Sequence, residues 1–288
     1  MVYSLCFMDF NYNFINSNKK FNIMLRLLFI PLFFISCSGN TTQPANATPV
    51  SYQEQLVQVK SDTLLVEIQS KIYNAFVQSL MSKNNQLLTK LNNELELLYK
   101  EKQQNLILYW RSYLQFYSSI YYLKKGDNKT AEKEVDKGID WLKEMKNKNS
   151  EDYALLAMLQ GFSIQFKGMK AMFISGDIKK NAKQAIAIDS TNLRAYYVYA
   201  SNDFHTPENY GGGKEAEKYL LKAISLPVQK IKNEYLPSWG KEESYEMLIK
   251  LYIKKEKWEL AKKYFQEGIK EYPESYTINQ LASKLVGK

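Results

Sequence analysis

Seven residues near the C-terminus constrain the fold more than any other feature of the chain. In order they are Tyr245, Leu248, Tyr252, Ala261, Phe265, Gly268 and Pro273. The first three share one face of a helix, because they are separated by three and then four residues. Ala261 and Gly268 lie two turns apart on a second helix, where small side chains let the first helix approach closely. Pro273 cannot continue the second helix, so the pattern predicts a tightly packed helical pair followed by a turn.

A pair of small residues seven positions apart recurs upstream, followed by isoleucine. The upstream copies are Ala216 with Ala223-Ile224, Ala131 with Gly138-Ile139, and a degenerate copy, Ile178 with Ala185-Ile186. The second member stands at positions 138, 185, 223 and 268, so successive copies are 47, 38 and 45 residues apart. A unit of about 34 residues with insertions of about 13, 4 and 11 gives these steps. The spacing therefore predicts a series of helical hairpins.

The seven-residue pattern resembles the tetratricopeptide repeat, and the resemblance covers about residues 105–288. It implies an all-α fold in which helical hairpins stack in a right-handed superhelix, with the helices of residues 52–104 capping the array, since terminal repeats need a partner or a polar outer face. The alternative is an ordinary helical bundle with chance alanine spacing.

Apolar residues at helical spacing predict helices from Tyr52 to the C-terminus, and no strand-type alternation is evident. Two amphipathic stripes are broken near residues 83–85, and an unusually aromatic helix follows from Asn105 to Leu123. A charged helix then extends to about Lys148. Ser150, which precedes two acidic residues, is the expected cap of the next helix.

The N-terminus has the features of an export signal. A basic start is followed by about ten apolar residues, and the run ends at Phe34-Ile35-Ser36-Cys37, which resembles a lipobox. Residues 1–36 are therefore expected to be a signal peptide, with Met8 and Met24 as alternative starts, and the resemblance implies that Cys37 is acylated. Residues 37–51 are polar and contain proline, as membrane tethers do. The alternative is a cysteine that merely ends an apolar stretch.

No acidic residue lies between Cys37 and Glu54. Some surface-exported lipoproteins resemble one another in having acids just after the cysteine. We therefore expect a lipid anchor in the bacterial cell envelope, in the outer membrane and facing the periplasm.

Charge and residue counts exclude several classes of function. The net charge of +9 comes from 36 Lys and only three Arg, and Lys alternates with acids along the helices, so nucleic-acid binding is not expected. Both cysteines, Cys6 and Cys37, precede the folded region, and His205 is the one histidine, so no zinc site of the Cys/His kind is expected there. We expect no cofactor and no metal.

No constellation of catalytic residues stands out. His205 lacks a nucleophile elbow, and the acid pairs Glu151-Asp152 and Glu242-Glu243 are explained by helix starts, where acids favour the dipole. The chain is therefore not expected to be an enzyme, although two distant carboxylates could still meet in the folded protein.

Residues 206–213 replace the tight turn of a repeat with Thr-Pro-Glu-Asn-Tyr and three glycines. This connection resembles that of TatT-like envelope lipoproteins, which are accessory components of some transporters. A phosphate-binding loop is the alternative for the glycines, but Lys214 is followed by Glu215-Ala216 rather than Ser or Thr, which favours a structural turn. His205 is either a ligand contact or a hydrogen-bond partner of a helix-end carbonyl.

Two hypotheses for function remain. The first is a protein-interaction scaffold whose first helices present a binding surface to a partner in the envelope. The second is a small-molecule-binding accessory component, in which tyrosine-rich helices line a pocket. The candidate binding residues are Tyr197, Ser201, His205, Tyr210, Trp239, Glu246 and Lys250.

Overall fold

The computed structural model describes residues 63–288, which are helical and contain no β-strand. The signal peptide, Cys37 and the tether lie outside the described residues, as does the stretch from Tyr52 to residue 62. The all-α prediction is confirmed for the part of the chain that is described.

Twelve α-helices follow one another along the described chain. Their bounds are α1 Ile68–Ser82, α2 Gln86–Lys102, α3 Asn105–Lys124, α4 Asn128–Glu144, α5 Ser150–Ser163, α6 Ala171–Ile188, α7 Leu193–His205, α8 Ala216–Ser225, α9 Lys241–Lys254, α10 Trp258–Glu271, α11 Tyr276–Asn279 and α12 Ala282–Leu285. Short 3₁₀ turns at Ile164–Phe166, Gly168–Lys170 and Glu208–Tyr210 lie in the connections. The charged helix α4 ends four residues before the predicted Lys148.

The helices pack as successive hairpins. Each odd-numbered helix from α1 to α9 packs against the even-numbered helix that follows it, and the even-numbered helix then contacts the first helix of the next hairpin. The first helices also contact each other in series, α1 with α3, α3 with α5, α5 with α7 and α7 with α9. The turns within these hairpins consequently lie along one edge of the stack, and the connections between hairpins lie along the opposite edge.

The paired small residues lie where helices cross closely. All of them are buried: Ala131 and Gly138, Ala216 and Ala223, Ala261 and Gly268, together with Ala185 of the degenerate copy. A Cβ atom on Gly138 would stand 2.8 Å from Leu159 Cδ2 of α5 and 3.1 Å from the carbonyl oxygen of Ser112 on α3. The spacing of the small residues in the sequence therefore marks the positions where neighbouring helices pack closely.

The aromatic helix α3 is almost wholly buried and forms the centre of the core. Phe116 contacts Phe162 of α5 edge to face, with 5.0 Å between ring centroids. Tyr117 contacts Phe76 of α1 at 5.1 Å. One continuous set of ring contacts therefore joins the first three hairpins, and edge-to-face pairs of this kind add about 0.5–1.5 kcal/mol each beyond area burial.

The cap predicted for α5 needs a correction. Asn149, rather than Ser150, caps α5, because its side chain accepts the Glu151 and Asp152 amides while Asp152 accepts the Asn149 amide. The Ser150 hydroxyl instead donates to the Ala185 carbonyl of α6 at 2.8 Å. Asn192 caps α7 in a similar way. The prediction for the serine was wrong because Ser and Asn are both favoured at this position.

We predict opposite effects for alanine at two helical glycines. Gly138→Ala is expected to destabilise the protein by about 1–3 kcal/mol, because the added methyl group meets Leu159 and the Ser112 carbonyl. Gly161→Ala is the matched control, since its Cβ would meet only Ile178 Cδ1, at 3.9 Å, and alanine favours the helix. Urea unfolding measures both changes. Equal free energies of unfolding for the two variants would contradict the close crossing at Gly138.

Candidate functional site

The connection between α8 and α9 runs back across the first helices of the stack. We call residues 226–240 the strap. Its backbone reaches the start of α1, where the Glu67 amide donates to the Glu234 carbonyl at 3.1 Å and the Ser238 amide donates to Gln69 Oε1 at 2.8 Å. From α3, Trp110 Nε1 donates to the Tyr235 carbonyl at 2.9 Å. The strap therefore covers part of the inner surface that stacked first helices would otherwise expose.

Trp239 anchors the end of the strap in the aromatic core. Its indole Nε1 donates to the Tyr109 hydroxyl at 2.9 Å. Its ring stacks on Tyr113, with centroids 6.5 Å apart, and meets Tyr197 of α7 edge to face at 6.2 Å. Only 4% of its surface is exposed. The indole thus has its hydrogen-bond partner and packs against rings of both α3 and α7.

A buried ion pair holds the strap from the other side. The Arg194 guanidinium, at the start of α7, bonds both carboxylate oxygens of Glu151 on α5. Its remaining fork atom, Nη1, donates to the carbonyls of Val228 and Trp239 at 3.1 and 3.2 Å. One side chain therefore joins two hairpins and both ends of the strap, and the planar fork of arginine is suited to this task.

A cavity of about 430 Å³ opens beside the strap, at the edge where α9 begins and α10 ends. Its walls carry four carboxylates together with aromatic and small polar groups: Glu242, Glu243, Glu271, Glu274, Trp239, Tyr272, Gln69, Ser238, Ser275, Val228 and Pro273. Lys241 neutralises Glu271 at 2.9 Å. The other three acidic residues outnumber this lysine, so the cavity is acidic although the net charge of the chain is +9.

The carboxylates at the start of α9 are held in an environment that disfavours their charge. Burial, followed by the nearby Glu242 carboxylate, raises the pKa of Glu243 to about 7. Burial also raises the pKa of Glu242, against the hydrogen bond from Ser275. Glu243 accepts the Gly240 amide at 2.7 Å, which keeps it on the cavity wall. Ionisation of such a carboxylate is unfavourable while it has no cation beside it. A positively charged ligand would stabilise the ionised form.

The seven residues predicted for a binding surface are distributed between core and surface. Tyr197, Trp239 and Glu246 are buried, with 2%, 4% and 4% of their surface exposed. Ser201, His205 and Lys250 are partly exposed, and Lys250 forms an ion pair with Glu246. Tyr210 is 63% exposed on the turn between α7 and α8. Of the seven, Trp239 alone lines the acidic cavity.

His205 makes the contact expected of a residue at a helix end. Its Nδ1 is 2.9 Å from the Ser201 carbonyl of the same helix. Burial, and after it the charges of Lys250 and Lys254, lowers the pKa of His205 to about 4. A neutral ring bonded to its own helix agrees with a structural role.

The glycine-rich turn is structural as well. The Gly211, Gly212 and Gly213 amides donate to the carbonyls of Glu208, Pro207 and Asp203, so these donors are occupied within the turn. A Cβ atom on Gly212 would stand 1.9 Å from the Thr206 carbonyl oxygen, which no side chain tolerates. Asp203 also accepts the Glu215 and Ala216 amides and thereby starts α8. The glycines allow a close backbone approach rather than the binding of an anion.

The cavity has no signature in the sequence because its residues come from three distant segments. Glu242 and Glu243 have a sufficient explanation as acids in the first turn of a helix. Neither Gln69 nor the segment from Glu271 to Ser275 has a sequence feature that indicates a binding site. The α9–α10 hairpin brings the start of α9 to the segment from Glu271, and the strap adds Gln69 of α1 to them.

Two further properties of the described residues bear on function. No group of three or more histidine, cysteine or acidic side chains in residues 63–288 is arranged to hold a metal ion. Within the same range, no helix combines the length and the apolar character required of a membrane span.

Comparisons with known proteins add one distant structural likeness. No protein-family model matches the chain, and no curated protein matches it. Among solved structures, the HusA haemophore from Porphyromonas gingivalis is similar over 72% of this chain and 95% of its own, at 16% sequence identity and a TM-score of 0.44. A likeness at this level carries no conclusion about function.

We predict that Trp239→Ala destabilises the protein by about 3–5 kcal/mol, because it removes a buried ring and leaves the Tyr109 hydroxyl without its donor. Tyr210→Ala is the matched control, since Tyr210 is exposed, and its effect is expected within about 0.5 kcal/mol. Urea unfolding measures both. A near-neutral Trp239→Ala would show that the strap is not packed as described.

The raised pKa of Glu243 gives a pH prediction. Folded Glu243 keeps its proton up to about pH 7, whereas its ordinary value is 4.5. The folded state therefore binds more protons between these values, and this carboxyl lowers stability as pH rises through the window. Glu243→Gln is expected to gain stability relative to wild type between pH 5 and pH 8. Denaturant titrations at both pH values measure this, and a difference between the two proteins that stays constant with pH would contradict it.

Asp152, whose pKa burial likewise raises to about 7, is present in both proteins. His205 is also common to both. Their contributions therefore cancel in the comparison, and the remaining difference belongs to Glu243 and its interaction with Glu242.

Proposed function

We propose that this chain is a lipid-anchored helical-repeat protein of the bacterial cell envelope, facing the periplasm, and that it acts as an interaction scaffold. In this proposal the hairpins form a tetratricopeptide-like superhelix, and Cys37 carries the anchor. The acidic cavity beside Trp239 is the binding point, where it receives a cationic group of a partner protein. The cavity is the observation that carries the proposal.

The chemistry of the cavity supports a cationic occupant. Burial makes both Glu242 and Glu243 costly to ionise, and the Glu242 carboxylate adds to the cost for Glu243, so an ammonium or guanidinium group placed between them would offset it. Trp239 and Tyr272 supply apolar walls on which a cation or its alkyl stem can pack. Ser275 and Ser238 add polar groups that can orient the occupant. A lysine or arginine side chain of a partner has the required charge and length.

The strap explains why the cavity, rather than the inner surface, is the preferred binding point. A peptide lying along the first helices would have to displace Trp239 and the hydrogen bonds of Arg194. The cavity needs no such rearrangement. Binding there is therefore compatible with the packing of the rest of the protein.

Affinity capture from detergent-solubilised envelopes tests the proposal. We predict that the wild-type protein recovers a partner at stoichiometric levels and that Glu242→Gln with Glu274→Gln reduces its affinity by about tenfold or more, since hydrogen bonds to charged groups are worth about 1.5–3 kcal/mol. The charge-matched control is Asp140→Asn with Glu259→Gln, two exposed residues that do not line the cavity. Equal recovery by all three proteins, or recovery of no protein, would contradict the proposal.

A small organic cation is the second candidate. A cavity of about 430 Å³ falls in the size range of small-molecule sites, which is the observation that favours it. Native mass spectrometry of the purified protein separates the two candidates. A copurifying amine that is lost in Glu242→Gln with Glu274→Gln supports the small molecule, and an empty wild-type protein that still captures a partner supports the scaffold.

A further inference from the structure

The edge formed by the turns within hairpins has an unusual surface. We call the segments 81–87, 124–129, 164–173, 206–215 and 254–257 the hairpin-turn edge. Neighbouring turns touch directly: Lys125 Nζ donates to the Lys83 carbonyl at 2.8 Å, and Lys254 lies 3.9 Å from Glu208. The segments therefore belong to one continuous side of the described stack.

Exposed apolar side chains concentrate on this edge. Ten large hydrophobic residues are exposed in the described part of the chain, and six of them lie here: Met81, Leu87, Met169, Met172, Phe173 and Tyr210. Met169, Met172 and Phe173 are 79%, 66% and 74% exposed; Met169 lies in the 3₁₀ turn just before α6, and the other two lie in the first turn of α6. Contiguous exposed side chains of this kind mark a surface that meets another apolar phase.

The charges around these apolar residues are predominantly positive. Nine exposed lysines lie on the edge: Lys83, Lys124, Lys125, Lys129, Lys170, Lys214, Lys254, Lys255 and Lys257. Only three exposed acids accompany them, Asp127, Glu208 and Glu256. Segment 164–173, which carries the three apolar residues, contains no acidic residue, although its Lys167 pairs with Glu132 and Asp136 of α4 and the exposed Asp177 follows one turn later on α6. The edge thus combines apolar tips with an excess of positive charge.

We propose that the hairpin-turn edge docks on an anionic lipid bilayer, with Met169, Met172 and Phe173 inserted between headgroups and the surrounding lysines on the lipid phosphates. Protein surfaces that bind at the membrane interface typically combine apolar side chains with neighbouring lysines. Lysines near an anionic lipid surface are attracted to it, and the attraction grows with their number. Lysine is in contrast depleted at protein interfaces, where arginine is favoured, and the edge has no arginine.

The docked orientation agrees with the position of the acidic cavity. Helix α9 begins at Lys241, beside the cavity, and ends at Lys254, on the hairpin-turn edge. The carboxylates therefore lie on the side of the stack away from the lipid, where anionic headgroups do not repel them. Docking turns the proposed binding point toward the aqueous phase.

The length of chain that precedes α1 permits this orientation. Helix α1 has 15 residues and carries the chain about 22 Å from one edge to the other. The 25 residues from Ser38 to Asp62 span at most about 80 Å. An anchor at Cys37 and a docked edge can consequently meet the same bilayer, although docking does not require the anchor.

A fluorescent label that senses a local apolar environment tests the docking. In the full chain with Cys6→Ser and Cys37→Ser, which cannot be acylated, Met169→Cys carries the label, and Lys146→Cys carries it in the control. Lys146 is exposed in the connection between α4 and α5, on the opposite edge. We expect the label at 169, but not at 146, to shift to the blue on vesicles containing phosphatidylglycerol. Affinity should exceed that for phosphatidylcholine alone by about tenfold or more.

The outcomes separate docking from anchoring and from protein binding. A label at 169 that stays in water while the protein cosediments with the vesicles would overturn the proposal, because the N-terminal segment alone would then hold the protein. A label at 169 that responds to a soluble envelope extract but to neither vesicle would overturn it in favour of a protein interface. Met172→Ser with Phe173→Ser, both exposed, should abolish the shift at 169 without changing the circular dichroism spectrum.

Discussion

The guanidinium of Arg194 is the interaction on which the arrangement of this protein depends. It bonds the Glu151 carboxylate across two hairpins and the carbonyls of Val228 and Trp239 in the strap. A buried ion pair adds little net stability, but breaking it leaves a buried charge without its partner and costs about 3–5 kcal/mol. Its value here is therefore geometric, because the same five-donor group fixes the spacing of α5 and α7 and the path of the strap.

The path of the strap decides which surface between the first helices stays open to a proposed partner. The strap and the rings around Trp239 fill the inner side between α3 and α7, so an extended groove is not available there. What is left open is the acidic cavity at one edge and the basic, apolar hairpin-turn edge at the other. A protein with a basic edge on one side and an acidic cavity at the other is suited to lie on an anionic surface and to present carboxylates to a positively charged partner.

Part of this arrangement is predictable from the sequence, for a physical reason. Helix crossings require small residues at fixed intervals, so the spacing of Gly138, Ala223 and Gly268 by itself indicates where helices make buried contacts. Helical periodicity and local turn residues likewise predict the breaks near Lys83 and after His205. These are properties of residues close in sequence, which a pattern can record.

The site itself cannot be predicted in the same way. The cavity depends on contacts such as that of Ser238 with Gln69, whose partners are 169 residues apart and follow no period. Trp239 is one of the candidate residues that the sequence offers, but its burial depends on Tyr109 and Tyr197, which reach it from two different helices. Arg194 belongs to no pattern, since its role comes from where the strap passes.

Hydrogen–deuterium exchange of two backbone amides tests the course of the strap most directly. The Ser238 amide is bonded to Gln69, and the Glu67 amide is bonded to the Glu234 carbonyl. If the strap is part of the cooperative core, both amides are protected nearly as strongly as those within α3. Exchange of both amides at the rate of an unstructured peptide, while α3 stays protected, would contradict the account.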